Sequence, residues 1–172
     1  MIASCIRIPL PSIGGDGGMT IPSLNGNQLP VGIHDCSFEE LRKTFAYNPQ
    51  RSELYRKIAD YASLLRKYGV SGWILVDGSY VTAKNSPGDI DIIVVMERES
   101  LARQNPEDRC AMHYLFEPDV AIRFGLDSIP GTADGITEDG FVNETESVTD
   151  YLEIFTTVKY SEERKGILRI EL

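Results

Sequence analysis

The spacing of apolar positions changes several times along the chain, and each change marks an element. In SFEELRKTFAYN, Phe38, Leu41 and Phe45 recur at intervals of three and four residues, which predicts a short helix with one apolar face. Ser37 precedes it and Glu40 follows three residues on, the arrangement in which two side chains cap each other's backbone amides. NPQRSELYRKIADYASLLRKYGV continues with Leu54, Ile58, Tyr61, Ala62 and Leu65 at helical spacing, and Gly69 is the expected stop. The helical period then ends. GWILVDG and DIDIIVVM are short β-branched runs that predict buried strands, and SYVTAK between them predicts the first turns of a helix after a tight turn at Gly78.

Past the charged ERES, SLARQNPEDRCAMHYLFE predicts a helix-turn-helix connection. PDVAIRFGLDSIP supports two readings. Val120, Ile122 and Phe124 alternate as in a strand, whereas Pro118 and Gly125 bracket a short helix and leave LDSI as the third strand. GTADGITEDG predicts a loop, FVNETESVTDYLEIFTTV a helix with Val148, Tyr151, Leu152 and Phe155 inward, and KGILRIEL a last strand. Residues 9–32 are rich in Gly and Pro and have no period. They predict a flexible or extended arm over residues 1–32, laid on the core through Ile21, Leu24 and Leu29, ahead of a single domain at 33–172. The mixture of elements predicts an α+β (mixed α/β) class, with a small mixed sheet flanked by helices.

Composition narrows the class of protein without naming it. The 172 residues, 42% hydrophobic and 25% charged, are enough for one domain with a real core. No apolar run approaches the roughly 18 residues that a membrane span needs, and Arg7 interrupts the apolar N-terminus, so neither a span nor a signal peptide is expected. Cys5, Cys36 and Cys110 lack any CxxC pairing and read as reduced thiols of a cytoplasmic protein. The net charge of -9 argues against indiscriminate nucleic-acid binding. Residues 41–84 run the other way, with eight basic and three acidic residues, a bias that suits either a solvated helix or steering of an anion. The Gly14–Gly18 cluster has no following Lys-Ser/Thr and no preceding strand, so it reads as a flexible turn rather than a phosphate loop.

The chemistry concentrates in DGSYVTAKNSPGDIDIIVV. Asp89 and Asp91 stand two apart where a strand begins, so their side chains point the same way. Like charges so placed need a cation or a proton. Two such carboxylates and a third from a neighbouring strand can hold one or two Mg²⁺ ions, which keep water or phosphate oxygens in the remaining positions. Gly78 admits a phosphate close to the backbone, Ser79 offers a hydroxyl and an amide, and Lys84 adds charge or serves only the surface.

This stretch has the form hG[GS]-x9-Dh[DE]h, and in it the chain resembles the DNA polymerase β-like nucleotidyltransferase superfamily, of the small minimal type. It is similar, more closely, to a poorly characterised bacterial group of nucleotidyltransferase-like proteins. That similarity runs through LPVGIHDCSFEELRKTFAYNPQRSELY, DGSYVTAKNSPGDID and KGILRIEL, and so over most of residues 21–172. The resemblance implies the nucleotidyltransferase fold, Mg²⁺ or Mn²⁺ on Asp89, Asp91 and a third carboxylate, and Gly78 and Ser79 on the nucleotide. It places the third carboxylate after FG-x-[DE], which selects Asp127, whereas the strand reading of DVAIRF nominates Asp119.

The expected activity is transfer of a nucleoside monophosphate from a triphosphate to a hydroxyl on a protein, an RNA 3′ end or a small molecule, with Asp127 also as general base. A second reading keeps the fold without the chemistry: a nucleotide- or partner-binding module, antitoxin-like in a two-gene system. A glycosyltransferase using Asp-x-Asp is the third, and it leaves the Gly-Ser element without a role. Elsewhere, His34-Asp35 reads as a turn leading into a helix with a hydrogen-bonded histidine. Asp77 reads as a structural acceptor, Trp73 as core, and Tyr80 as either a base-stacking ring or packing.

Overall fold

The computed structural model describes residues 21–132 and 148–172. The arm at residues 1–20 with its glycine cluster, Cys5, most of the loop at 131–140 and the helix start at 141–147 fall wholly or partly outside the described residues.

Elements follow in the order β1 (Gly32–Asp35), α1 (Phe38–Phe45), α2 (Pro49–Lys67), β2 (Gly72–Asp77), β3 (Ile90–Met96), α3 (Arg98–Arg103), α4 (Pro106–Leu115), α5 (Pro118–Arg123), β4 (Leu126–Thr132), α6 (Val148–Phe155) and β5 (Gly166–Glu171). The class is α+β. The five strands form one mixed sheet in the order β1-β5-β2-β3-β4. Strand β5 runs parallel to β1 and antiparallel to β2, β2 is antiparallel to β3, and β3 is parallel to β4.

Local chemistry sets the helix ends. Ser37 accepts from the Glu40 amide at 3.2 Å, and the Glu40 carboxylate accepts from the Ser37 amide at 2.7 Å, completing the capping box of α1. Asn48 caps α2 through the Arg51 amide, with Pro49 at the first helical position, where its missing N–H costs nothing. Between β3 and β4, α5 runs from Pro118 and ends at Gly125, whose φ of +62° lets the chain reverse into β4. PDVAIRFGLDSIP is therefore a helix followed by a strand, the second of its two sequence readings.

The sheet is covered on both faces, which is why its strands read as unbroken apolar runs. Ile74, Val76, Ile90, Ile92 and Val94 pack against Leu41, Phe45, Leu54, Ile58, Tyr61 and Leu65 of α1 and α2, with Met112, Leu115 and Val120 beyond. Leu75, Ile93, Val95 and Ile167 pack under Val148, Leu152 and Phe155 of α6. Trp73 sits at the margin of this second cluster, only partly buried. Ile21 and Leu29 are buried in the larger cluster and Leu24 is packed against it, as the arm's apolar positions predict.

Two local expectations are corrected. GIHD is a strand rather than a turn leading into a helix: β1 pairs residue for residue with Gly166–Arg169. His34 is hydrogen-bonded as expected, its Nε2 lying 2.7 Å from the Pro30 carbonyl oxygen. SYVTAK forms one 3-10 turn, Ser79–Val81, and Thr82 is already extended, its hydroxyl donating to the Ser79 carbonyl at 2.8 Å. Among the described residues, no helix is long and apolar enough to cross a membrane.

Candidate active site

The end of β2 and the starts of β3 and β4 meet at one edge of the sheet. Register places Asp77 opposite Asp91, and Asp91 opposite Asp127. Directly opposed residues point to the same face, so three strands deliver a row of carboxylates. That face is the one α6 covers, since Leu75 and Ile93, two residues along from Asp77 and Asp91, pack beneath it. Asp89 lies two residues before Asp91 and borders the same cavity.

Burial grades the row. Asp77 is 5% exposed, and Lys165, from the segment that leads into β5, grips both its oxygens at 2.7 and 2.6 Å. Burial pushes the Asp77 carboxyl up and the Lys165 ammonium pulls it back. Asp91 is half-buried and has no such partner close at hand. Desolvation, then the charges of Asp89, Asp77 and Asp127, raise its pKa to about 6, against a smaller lowering by Lys165. Asp89 and Asp127 are exposed at the rim.

Gly78 brings the backbone against this row. Its φ of +77° and ψ of -166° belong to a region that only glycine occupies without strain, and a β-carbon there would lie 1.6 Å from Oδ2 of Asp91. The following turn is held from below by Arg51, which is fully buried. Its guanidinium donates to the carbonyls of Phe45 at 2.7 Å, Lys84 at 3.1 Å, Thr82 at 3.1 Å and Tyr80. The rings of Phe45, Tyr47 and Tyr80 surround it. Tyr80 is fully buried and donates to the Arg51 carbonyl, so it packs and is not free to stack on a base.

Over the row opens a cavity of about 960 Å³. The four aspartates, Gly78 and Ser79 line it, and Lys84, Lys159 and Lys165 contribute the opposite charge. A second cavity, about 490 Å³, lies on the α5 side and shares only Asp89 and Asp127 with the first. Asp119, the other candidate third carboxylate, is exposed on α5 and borders neither cavity. His34 and Asp35 also lie off the site; Asp35 takes two hydrogen bonds from buried Arg169, at 2.6 and 2.9 Å. The structure thus brings together Gly78, Ser79, Lys84, Asp89, Asp91 and Asp127, and adds Asp77, Lys165 and Arg51 as their supports.

Among the described residues, no three His, Cys, Asp or Glu side chains converge tightly enough to cage a cation alone. A closed cage is not what magnesium needs. It binds through one or two carboxylates, with waters and substrate phosphates filling the octahedron. Hard oxygen donors, the carboxylate charges crowded around half-buried Asp91, and a glycine backbone with no β-carbon in the way fit such an ion.

The chain belongs to a family of unknown function, DUF6932, whose model matches residues 22–171. No curated protein and no solved structure matches it.

Proposed function

We propose that this protein is a nucleotidyltransferase that moves a nucleoside monophosphate from a triphosphate to a hydroxyl acceptor. The observation that carries the reading is the cross-strand row Asp77, Asp91, Asp127 with Gly78 set against Asp91, opening into a lysine-bearing cavity. The Gly-Ser, nine residues, Asp-Ile-Asp signature supports it.

Asp89, Asp91 and Asp127 would hold Mg²⁺, one or two ions, or Mn²⁺ in its place. The metal would neutralise charge on the triphosphate and the developing charge at the reacting phosphorus. The chain's own part is positioning. Gly78 and Ser79 offer unobstructed backbone and a hydroxyl to the β- and γ-phosphates, and Lys84 adds a cation at the cavity wall. Asp127, exposed at the rim, accepts the acceptor's proton. The acceptor oxygen bonds to the α-phosphorus, the bond from that phosphorus to its bridging oxygen breaks, and pyrophosphate leaves with the electron pair. Lys165 keeps Asp77 neutralised, so that fourth carboxylate does not compete for the ion.

The openness of the carboxylate set favours a second reading, a module that binds nucleotide or a partner protein without turnover, in the manner of an antitoxin. Calorimetric titration of ATP, GTP, CTP and UTP with Mg²⁺ separates the two. Magnesium-dependent binding that disappears in Asp89→Asn/Asp91→Asn is expected, followed by pyrophosphate release once an acceptor is supplied. Absence of binding by every triphosphate sinks the transferase reading, and a stable heteromeric complex on co-purification then supports the module.

A further inference from the structure

We propose that the 490 Å³ cavity beside α5 receives the acceptor, and that the acceptor is a small alcohol or phenol with an apolar body, uncharged or cationic. This rests on the nucleotidyl-transfer reading and narrows it, because it removes RNA ends from the acceptor list.

Position comes first. Asp89 and Asp127 separate the two cavities and border both. A hydroxyl entering from the α5 side meets the carboxylate assigned as proton acceptor, while the triphosphate lies on the other side with the lysines. Size comes second. The volume is within the range of small-molecule sites and far below the extended groove that a nucleic-acid backbone occupies.

The walls settle the chemistry. Phe116, Pro118, Ala121 and Ile122 supply apolar surface, and Ile122 keeps 69% of its surface exposed. Against them stand Asp89, Asp127 and Ser128, whose hydroxyl lies 3.1 Å from the Tyr61 hydroxyl. Among the described residues, no lysine or arginine lines this cavity. Lys57 lies next to the wall at Gly125, its Nζ 3.9 Å from where a β-carbon on that glycine would stand, and it pairs with Glu53 at 3.9 Å. A polyanion would meet two carboxylates with no cation among the described lining residues to neutralise its phosphates, whereas an amine would find those carboxylates favourable. The contrast with the first cavity, where Lys84 and Lys159 stand beside the aspartates and Lys165 pairs with Asp77, divides the site into an anion side and an apolar, acidic side.

The test uses tyramine, which joins a phenol hydroxyl, an aromatic body and an ammonium, and a short oligoribonucleotide with a free 3′ hydroxyl. Each is titrated into ¹⁵N-labelled protein with Mg²⁺ and a non-hydrolysable ATP analogue, and amide shifts are followed. Tyramine is expected to move Phe116, Ile122, Gly125 and Ser128, and Ile122→Arg, at an exposed position, to weaken that binding by about tenfold. The oligonucleotide is expected to leave those signals unmoved. Oligonucleotide shifts along α5, or no tyramine shifts at those residues, overturn the proposal. The nucleotide analogue reports separately through Gly78 and Ser79. If it moves neither while tyramine still binds, the transfer reading fails, and with it the acceptor role of this cavity.

Discussion

Gly78 and Asp91 occupy space that two ordinary residues could not share: a β-carbon on Gly78 would stand 1.6 Å from Oδ2 of Asp91 and 2.7 Å from its Cγ. In Gly78→Ala, either the turn opens or the Asp91 carboxylate swings away, and the backbone conformation itself costs about 1–3 kcal/mol. The expected result is a folded, less stable protein whose affinity for Mg²⁺-triphosphate falls further than its stability. Thermal melting with and without Mg²⁺-ATP measures both, and full retention of the ligand-induced shift in melting temperature contradicts the placement of Gly78 at the phosphates.

Asp91 makes the site costly to maintain at neutral pH. Its pKa of about 6 stands above the 3.8 of an unperturbed aspartate, so the folded state prefers the protonated form. The stabilisation from protonation is complete below about pH 4 and is lost as the pH rises through about 6. Asp91→Asn imitates the neutral form. It should stabilise the metal-free protein at pH 7–8 by about 1 kcal/mol once solvent screening is allowed for, a rise of roughly 2–4 °C in melting temperature. Below about pH 4 the two proteins should melt alike. Denaturation across that range checks it, and a variant that melts lower at pH 7–8 contradicts the electrostatic account.

Arg51 is a buried cation whose hydrogen-bond acceptors are backbone carbonyls. Lysine at that position cannot reach four of them with one ammonium or lie flat among three rings. Arg51→Lys should destabilise the fold by about 2–4 kcal/mol. It should also raise amide hydrogen exchange in residues 79–84 more than in α4, which lies away from that turn. Uniform acceleration across the chain would mean that the guanidinium holds the whole core rather than the turn.

Lys165 and Asp77 form a pair in which each side chain is nearly out of solvent, 12% and 7% exposed. Removing only the cation strands a buried carboxylate, so Lys165→Met should cost about 3–5 kcal/mol. Adding Asp77→Leu should return much of that loss. A double-mutant cycle on chemical denaturation measures the coupling, and additive losses would show that the two groups do not depend on each other.

Much of the frame was legible because burial on both faces leaves a pattern. Apolar periods located α1, α2, β2, β3 and β5, and punctuation by Pro118 and Gly125 supplied the correct one of two readings before β4. Strand β1 was not legible. Its four residues include His34 and Asp35, and what makes them a strand is pairing with Gly166–Arg169, far away in sequence. The row through Asp77 needed the register of β2 on β3, which no spacing reveals. Arg51 did leave a signal. It stands three residues before Leu54, on the stripe that continues through Ile58, Tyr61 and Leu65, where an apolar residue would be expected. A charge on that stripe marks a buried cation, although composition alone groups it with the other basic residues of 41–84. SYVTAK misled for a local reason: Arg51 takes up the carbonyls of Tyr80, Thr82 and Lys84 that a continuing helix would use itself.

Strand β5 follows every other described element in the chain yet lies inside the sheet, joining β1 to β2. Until it arrives, β1 has no neighbour, β2 has an open edge, and Lys165 is not there to meet Asp77. Such distant pairings are slow to form and cannot be completed in order from the first residue onward. The consequence is a sequence of assembly. The half built from α1, α2, β2 and β3 can collapse early, but the carboxylate edge stays electrostatically frustrated until the closing strand docks and brings its ammonium with it. The metal binding proposed for this edge should therefore appear in the slowest refolding phase, together with protection of the β5 amides, which makes the completed site a reporter of the finished fold.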